Sequence, residues 1–258
     1  VVAYLVQDSM LYFPSRTTRQ ETIQAARQRG LQLWPEGAGD YQGLVSVTPP
    51  ATHKGTVLVW HGNAGSAIHR AHYVPALQRL GFRVVLIEYP GYGARQGSPS
   101  EGDIKSAATE AVETLLAEDS RPLYLVGESL GSGVATYLAG AMPDRIAGLL
   151  LVTPFTSLTD VAAGHYAFLP VRALLRERYD SVVALRNYHG PVAFLIAGSD
   201  EIVPAGLGHE LHDSYAGPKW LQVQAGAGHN TLNFNPTAGW WQEAEAFLVT
   251  AKQRSRDQ

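Results

Sequence analysis

The chain has 258 residues and a mass of 27.9 kDa, a length that suits one domain over residues 1–258. Hydrophobic residues make up 45% and charged residues 17%, which excludes an intrinsically disordered chain. The net charge of −3 and the pI of about 6.3 give no broad attraction to phosphate backbones, so no nucleic acid partner is expected. With no cysteine, disulfides, thiolate metal sites and a cysteine nucleophile are excluded.

The N-terminal residues are apolar and are not preceded by an initiator methionine. Val1–Val6 fits the stub of a removed signal or membrane anchor, and an ordinary N-terminal segment is the alternative. No apolar stretch approaches the ~20 residues of a bilayer-spanning helix. We therefore expect a soluble chain as given, with membrane association through a missing anchor as an open expectation, and the cellular location is left open.

Two short apolar segments flank a turn near the N-terminus. Leu31–Trp34 and Leu44–Val47 lie on either side of residues 36–40, which read Glu-Gly-Ala-Gly-Asp. Glycine and aspartate favour turns, so the pattern predicts an antiparallel strand pair. We expect this pair at one edge of a larger sheet.

Further along, short aliphatic runs alternate with longer segments of helical spacing. The runs are Thr56–Trp60, Val84–Ile87, Leu123–Val126, Leu149–Val152, Val192–Ile196 and Leu221–Val223. Apolar helical faces are formed by Tyr73, Ala76, Leu77 and Leu80, and by Ile104, Ala108, Ala111, Val112 and Leu115. Continuous apolar strands are typical of a sheet covered on both faces. The sequence therefore predicts an α/β fold with a mostly parallel central sheet, helices on both faces and an antiparallel N-terminal edge.

The segment 159–190 is longer than an ordinary connection between two strands. It carries an apolar cluster of Tyr166, Phe168, Leu169, Val171, Leu174 and Leu175. We predict a small helical lid inserted into the domain. A plain crossover helix with an irregular lead-in is the alternative.

Residues 127–131 read Gly-Glu-Ser-Leu-Gly, a G-x-S-x-G pattern. The pattern follows a predicted strand and precedes a helix of small residues, the context in which a sharp turn lifts the serine oxygen above the sheet edge. Ser129 is the candidate nucleophile. The backbone N–H of Leu130, at the start of the following helix, is the predicted donor to a developing oxyanion.

A serine hydroxyl needs a base and a group that orients the base. His229 lies in a glycine-rich loop after the last predicted strand and is the candidate base; a surface histidine without a role is the alternative. Asp200 follows the run Val192–Ile196 and is the candidate acid partner. Glu201 is the rival carboxylate.

The loop 61–66 reads His-Gly-Asn-Ala-Gly-Ser and follows the first parallel strand. It is predicted to supply the second oxyanion donor through the N–H of Asn63, with Ala64 as the alternative; a turn without a direct role is a further reading. Four aromatic residues are assigned to substrate binding: Tyr89, Phe155, Tyr166 and Phe168.

Together these motifs resemble the Bem-type branch of the α/β-hydrolase serine hydrolases. Further landmarks are Leu-Tyr-Phe-Pro at 11–14, Tyr-Pro-Gly-Tyr-Gly at 89–93 and Pro-Phe-Thr-Ser at 154–157. The resemblance implies the α/β-hydrolase fold and a carboxylesterase or acyl thioesterase with a Ser-His-Asp triad, acting on a small-molecule or lipid-like acyl ester without a cofactor. Many relatives carry an N-terminal anchor, and depalmitoylating relatives a cysteine-rich N-terminus, that are not found here.

Other functions stay open at this stage. A catalytically silent scaffold or binding protein has the same fold, and a serine peptidase, haloperoxidase or lyase can use the same triad. A metal site could be built from His61, His69 and His72, but no carboxylate in that segment completes the ligand set, and no metal is predicted.

Overall fold

A computed structural model describes residues 7–37, 39–166 and 170–254. The strands are β1 (Phe13–Pro14), β2 (Leu31–Trp34), β3 (Gly43–Ser46), β4 (Thr56–Trp60), β5 (Ala64–Gly65), β6 (Arg83–Ile87), β7 (Leu123–Glu128), β8 (Ile146–Val152), β9 (Val192–Ala197) and β10 (Lys219–Gln224). Eight of them form one sheet in the order β10-β9-β8-β7-β4-β6-β3-β2, and β1 pairs with β5 outside it.

The sheet is parallel except at its N-terminal edge. The six strands from β10 to β6 run parallel, whereas β3 is antiparallel to both β6 and β2. Leu33 lies opposite Leu44, so the predicted edge pair is confirmed. Strand β8 begins at Ile146, three residues before the predicted run, because Gly148 interrupts the aliphatic pattern there.

The described helices are α1 (Gln7–Leu11), α2 (Arg19–Gln28), α3 (Tyr73–Arg79), α4 (Glu101–Glu118), α5 (Leu130–Ala141), α6 (Leu158–His165), α7 (Val171–Leu174), α8 (Ser181–Leu185), α9 (Ala205–Ser214) and α10 (Gly239–Arg254), with a 3₁₀ turn at Ala67–Arg70. Local caps fix several helix starts: Ser100 Oγ accepts the Asp103 N–H at 3.1 Å at the start of α4. Among these helices, none has both the length and the hydropathy needed to cross a bilayer. Residues 1–6, on which the anchor expectation rests, lie outside the described part.

Helices cover both faces of the sheet, as predicted. Alternate residues of β4 point to opposite sides, since side chains of a strand have a period of two. Leu58 and Trp60 belong to one buried cluster with residues of α4, α5, α8 and α9, whereas Val57 and Val59 belong to the cluster on the other face with residues of α2, α3 and α10. All of β4, β8 and β9 is buried. Burial on both faces explains why these strands read as uninterrupted apolar runs.

The segment 159–190 contains helical structure of two kinds. Helices α6 and α7 have no buried residues and lie beside α1, where Gln7 Nε2 donates to the Leu174 carbonyl at 2.7 Å. Helix α8 instead packs into the core through Leu185. Helices α6 and α7 therefore lie over the carboxyl edge of the sheet, whereas α8 is a crossover helix. Phe168 lies outside the described residues.

A short N-terminal strand pairs with the loop 61–66. Phe13 N–H donates to the Asn63 carbonyl at 2.9 Å, and Ser15 N–H donates to the Gly65 carbonyl at 2.7 Å. Tyr12, which precedes Phe13, is buried, and its hydroxyl donates to Glu177 Oε2 at 2.6 Å. Burial raises the pKa of Tyr12, so the phenol stays protonated and remains a donor. These bonds fix the N-terminal segment against the edge of the sheet where the candidate site lies.

Candidate active site

Ser129 occupies the sharp turn between β7 and α5. Its backbone has φ +53° and ψ −118°, a conformation that costs a non-glycine residue about 1–3 kcal/mol. The turn is held because Ser129 N–H donates to the Val152 carbonyl at 2.9 Å and Ser132 Oγ donates to the Ser129 carbonyl at 2.7 Å. The residue is 8% exposed and lines a cavity at the carboxyl edge of the sheet. This is the position from which a serine oxygen can meet a ligand.

Two glycines allow the close backbone packing at this turn. A Cβ on Gly127 would overlap the Gly131 carbonyl oxygen, and a Cβ on Gly131 would overlap the Trp60 carbonyl oxygen. Backbone atoms cannot rotate aside as a flexible side chain can. Strands β4 and β7 and helix α5 therefore meet here only because both positions lack a side chain.

We expect Gly131→Ala to lower the free energy of unfolding by about 3 kcal/mol, the upper range for overpacking a core, because the new methyl group displaces the β4 backbone. Gly226→Ala is the matched control, since a Cβ there meets nothing within 4 Å, and its effect should stay below about 1 kcal/mol. Urea unfolding followed by circular dichroism measures both variants. Equal unfolding midpoints would contradict the packing argument.

Asp200 and His229 are joined by a short hydrogen bond. His229 Nδ1 lies 2.8 Å from Asp200 Oδ2, and the two side chains are only 9% and 1% exposed. The other oxygen, Asp200 Oδ1, accepts the N–H groups of Ile202 and Val203 at 2.9 and 2.8 Å. The rival Glu201 is exposed, and its carboxylate lies beside Gly228. Of the two carboxylates, the structure brings Asp200 to the histidine.

Ser129 and His229 lie in adjacent parts of the site without a direct bond. Within the described residues, no hydrogen bond joins the Ser129 hydroxyl to the His229 ring. His229 lines a neighbouring pocket together with Glu128 and Val152, which are the residue before Ser129 and the residue that accepts its N–H. The histidine therefore faces the same turn. Hydrogen bonds of this type are often long without substrate and shorten in the substrate complex.

Two backbone N–H groups near Ser129 have no acceptor. In the described part of the chain, neither the Asn63 N–H nor the Leu130 N–H makes a hydrogen bond, although buried N–H groups are nearly always paired. Both residues line the same cavity as Ser129. Ala64, the alternative donor, lies opposite Phe13 in the β1–β5 register and is not part of that cavity lining. Asn63 and Leu130 thus offer a pair of unused donors beside the serine.

The cavity at Ser129 has a volume of about 350 Å³ and a mostly apolar wall. The wall is built from α1, α6, α7 and the segment after β9. Its lining residues are Gln7, Met10, Leu11, Asn63, Ser129, Leu130, Phe155, Leu158, Val161, Ala162, His165, Tyr166, Val171, Leu174, Leu175, Ile202 and Val203. A cavity of this size and polarity suits a hydrocarbon chain.

The aromatic residues assigned to substrate binding have different positions. Phe155 and Tyr166 line the cavity. Tyr89 does not: it is 1% exposed, and its hydroxyl donates to the His61 carbonyl at 2.7 Å beneath the loop 61–66. Phe168 lies outside the described residues. Met10 and Leu11 of α1 also form part of the wall. They are not predicted from the sequence, because a five-residue helix carries no recognisable periodicity.

A second, polar pocket of about 160 Å³ lies on the His229 side of the turn. Arg70 Nη2 pairs with Glu128 Oε1 at 2.8 Å, and Tyr73 donates its hydroxyl to Glu128 Oε2 at 3.0 Å. Burial lowers the pKa of His72, so its ring is neutral near pH 7. The pocket therefore offers donors and acceptors with little net charge. No motif in the sequence pointed to it.

The three histidines considered for a metal site have other partners. His61 bonds to Glu88, His69 Nδ1 lies 3.3 Å from Ser66 Oγ, and His72 packs against the rings of Tyr73 and Phe234. Across residues 7–37, 39–166 and 170–254, no group of three or more His, Asp or Glu side chains is arranged to hold a metal ion.

The family model described as the alpha/beta hydrolase fold matches residues 55–187, just over half of the chain. The chain belongs to the α/β-hydrolase family. The matched range contains β4, the loop 61–66 and the Ser129 turn of this α/β hydrolase. Asp200 and His229 lie downstream of it.

Two relatives of this α/β hydrolase illustrate its likeness to known sequences. An uncharacterised protein of Mycobacterium tuberculosis is 44% identical over 177 residues, which are 67% of this chain and 62% of that protein. A lysophosphatidylserine lipase of Danio rerio is 35% identical over 184 residues, 64% of this chain and 48% of that protein. The chain thus spans between about half and two thirds of the length of these relatives.

A solved structure shows the same fold over almost the whole chain. The esterase of Pyrococcus furiosus superposes with a TM-score of 0.66 at 15% identity, covering 94% of this α/β hydrolase and 98% of the esterase. The predicted fold class is therefore confirmed. An esterase and a lipase are thus among the proteins to which the chain is similar.

Proposed function

We propose that this α/β hydrolase is a serine hydrolase that cleaves carboxylic esters or thioesters through an acyl-enzyme intermediate. The observation that carries the proposal is the pair of unused N–H donors, Asn63 and Leu130, on the wall of the apolar cavity that contains Ser129. Donors left unpaired beside a strained serine are what an acyl-transfer site needs, because negative charge develops on the carbonyl oxygen during attack.

In the first half-reaction Ser129 Oγ attacks the acyl carbon while His229 Nε2 takes the hydroxyl proton. Asp200 accepts the Nδ1–H of His229 and stabilises the imidazolium that forms. The Asn63 and Leu130 N–H groups hold the oxyanion. When the tetrahedral intermediate collapses, the bond to the leaving oxygen or sulfur breaks, and His229 returns the proton to that atom.

In the second half-reaction a water molecule gives its proton to His229 and attacks the acyl-Ser129 carbonyl. Collapse releases the carboxylic acid and restores the Ser129 hydroxyl. The apolar cavity suits the acyl chain, and the polar pocket beside His229 suits the alcohol or thiol that leaves. We infer that the substrate joins an apolar acyl group to a polar leaving group. This division is compatible with the lipid-like substrate named for the Danio rerio relative.

A panel of substrates tests the proposed reaction. p-Nitrophenyl esters and acyl thioesters of increasing chain length, assayed beside a peptide panel, separate an esterase, a thioesterase, a peptidase and a catalytically silent scaffold. We expect turnover of esters or thioesters with six to ten acyl carbons, a length estimated as about that which fills the cavity. Peptide cleavage alone, or no turnover of any substrate, would contradict the proposal.

Filling the cavity should change the chain-length preference. Val161 lies on the cavity wall, so Val161→Trp is expected to lower kcat/KM for decanoyl esters by about 10- to 100-fold and to spare acetyl esters. Val183→Trp is the matched control, because Val183 is 50% exposed on α8, away from the cavity wall. An equal loss for acetyl and decanoyl esters in the Val161 variant would place the acyl chain elsewhere.

We further propose that the chain is one domain in which α6 and α7 act as the lid of the cavity, and that it belongs to the Bem-type branch. The landmark residues 11–14 support this placement, because they bond directly to the loop 61–66. The landmark residues 89–93 support it as well, through the Tyr89 and Tyr92 hydroxyl groups that donate to the same loop.

A further inference from the structure

We propose that His61 and Glu88 form a buried positioning pair that sets the direction of the Asn63 N–H. The inference rests on the proposed function, in which this N–H binds the oxyanion. Neither residue lines the cavity or reaches the reacting atoms. Their role is to fix the peptide plane that does.

The His61 ring lies between two acceptors. Its Nδ1 is 2.7 Å from the Gly62 carbonyl oxygen, and its Nε2 is 3.1 Å from Glu88 Oε1. A carbonyl oxygen can only accept, so Nδ1 carries a hydrogen. His61 Nε2 and Glu88 Oε1 form a hydrogen bond only if one of the two atoms carries a hydrogen. With His61 fully buried and Glu88 1% exposed, water cannot replace either partner.

Glu88 is itself fixed from several sides. The Ala67 N–H lies 3.1 and 3.2 Å from its two carboxyl oxygens. Arg95 Nη1 donates to the Glu88 backbone carbonyl at 2.6 Å. The Tyr41 hydroxyl approaches Oε2 at 3.4 Å. The Ala67 N–H and the Tyr41 hydroxyl fix the carboxyl group and Arg95 fixes its backbone, so Glu88 gives the His61 ring one orientation.

The geometry of the peptide bond links this ring to the site. In a planar trans peptide, the carbonyl of one residue and the N–H of the next point in opposite directions. Because His61 draws the Gly62 carbonyl toward the buried side, the Asn63 N–H points the other way. Tyr89 and Tyr92 hold the carbonyls on either side, donating to His61 at 2.7 Å and to Asn63 at 2.6 Å. Three successive carbonyls are thereby bonded to buried donors, and the unpaired N–H is left for a ligand.

Two substitutions of His61 by amide residues test its two hydrogen bonds separately. The side-chain nitrogen of asparagine can replace Nδ1, and that of glutamine can replace Nε2. His61→Asn keeps a donor for the Gly62 carbonyl and loses the Glu88 bond, whereas His61→Gln keeps the Glu88 bond and loses the donor to the carbonyl. We expect kcat of His61→Asn to stay within about fivefold of the parent and kcat of His61→Gln to fall by about 10- to 100-fold. KM should be unchanged in both.

The readouts are kcat and KM for p-nitrophenyl butyrate, the rate of Ser129 labelling by a fluorophosphonate, and the folded fraction by circular dichroism. A purely structural role would lower the folded fraction of both variants and leave kcat per folded molecule intact. That result, or equal kcat values for folded His61→Asn and His61→Gln, overturns the inference.

A third variant applies if the His61 substitutions do not fold. Glu88→Leu removes the acceptor of His61 Nε2 and keeps a buried side chain of similar size, so the ring no longer has one fixed orientation toward the Gly62 carbonyl. We expect about a three- to tenfold loss of kcat with KM unchanged, and an unchanged kcat in the folded variant overturns the inference. Failure of the proposed function is distinguished because the parent enzyme would then show no fluorophosphonate label on Ser129 at all.

Discussion

Ser129→Ala is expected to lower kcat for p-nitrophenyl butyrate by about 10⁴- to 10⁶-fold, the usual effect of removing a catalytic serine. In the proposed mechanism Ser129 alone forms the acyl-enzyme, so the residual rate would come from binding and the two N–H donors. The substitution removes one oxygen from a residue whose backbone bonds to Val152 and Ser132 remain. The protein should therefore stay folded.

Ser214→Ala is the matched control for this experiment. Ser214 ends α9, where its hydroxyl donates to the Leu211 carbonyl at 2.9 Å, and it belongs to neither the cavity nor the polar pocket. It should retain parental activity. Mass spectrometry after fluorophosphonate treatment should find the label on Ser129 in the parent and none in Ser129→Ala. A label on another serine, or substantial turnover by Ser129→Ala, would refute the nucleophile assignment.

Asp200→Asn should lower kcat by about 10⁴-fold with little change in fold. The reason lies in the two backbone donors on Oδ1, the N–H groups of Ile202 and Val203. They retain the amide oxygen of an asparagine, so the amide nitrogen must face His229 Nδ1. An N–H facing Nδ1 forces the histidine proton onto Nε2, and a protonated Nε2 cannot remove the serine proton.

Glu201→Gln separates this tautomer effect from a general loss of negative charge. It removes the same charge from the neighbouring, exposed carboxylate and should keep kcat within about twofold, as surface substitutions usually do. Thermal unfolding of both variants checks that the fold is intact. Comparable losses in Asp200→Asn and Glu201→Gln would mean that charge near the histidine, and not its orientation, supports turnover.

The parts of the fold that the sequence predicted are those encoded locally. A strand buried on both faces must be apolar at every position, which makes β4 and β9 visible as continuous runs. Gly127 and Gly131 mark the Ser129 turn because backbone packing excludes a Cβ there. Asp200 and His229 follow strand ends, and parallel strands bring such loops to one edge of the sheet.

The features that the sequence did not predict depend on contacts between distant segments. Tyr89 is predicted to bind substrate, but its hydroxyl donates a hydrogen bond to the His61 carbonyl inside the core. The sequence position of a tyrosine does not say which way its ring points. The polar pocket joins Arg70 to Glu128 across 58 positions of the chain, without a motif. Helix α1 forms part of the cavity wall only because its contacts with residues near Leu174 hold it there.

The pairing of β1 with β5 determines which residues must be kept when the domain is truncated or joined to another protein. The range that matches the family model, residues 55–187, contains Ser129 and the loop 61–66 but not residues 13–15, which bond to that loop. A chimaera cut to those borders would contain the whole matched range and yet lack Asp200, His229 and β1. A truncated domain must therefore include β1 as well as the chain up to and including His229.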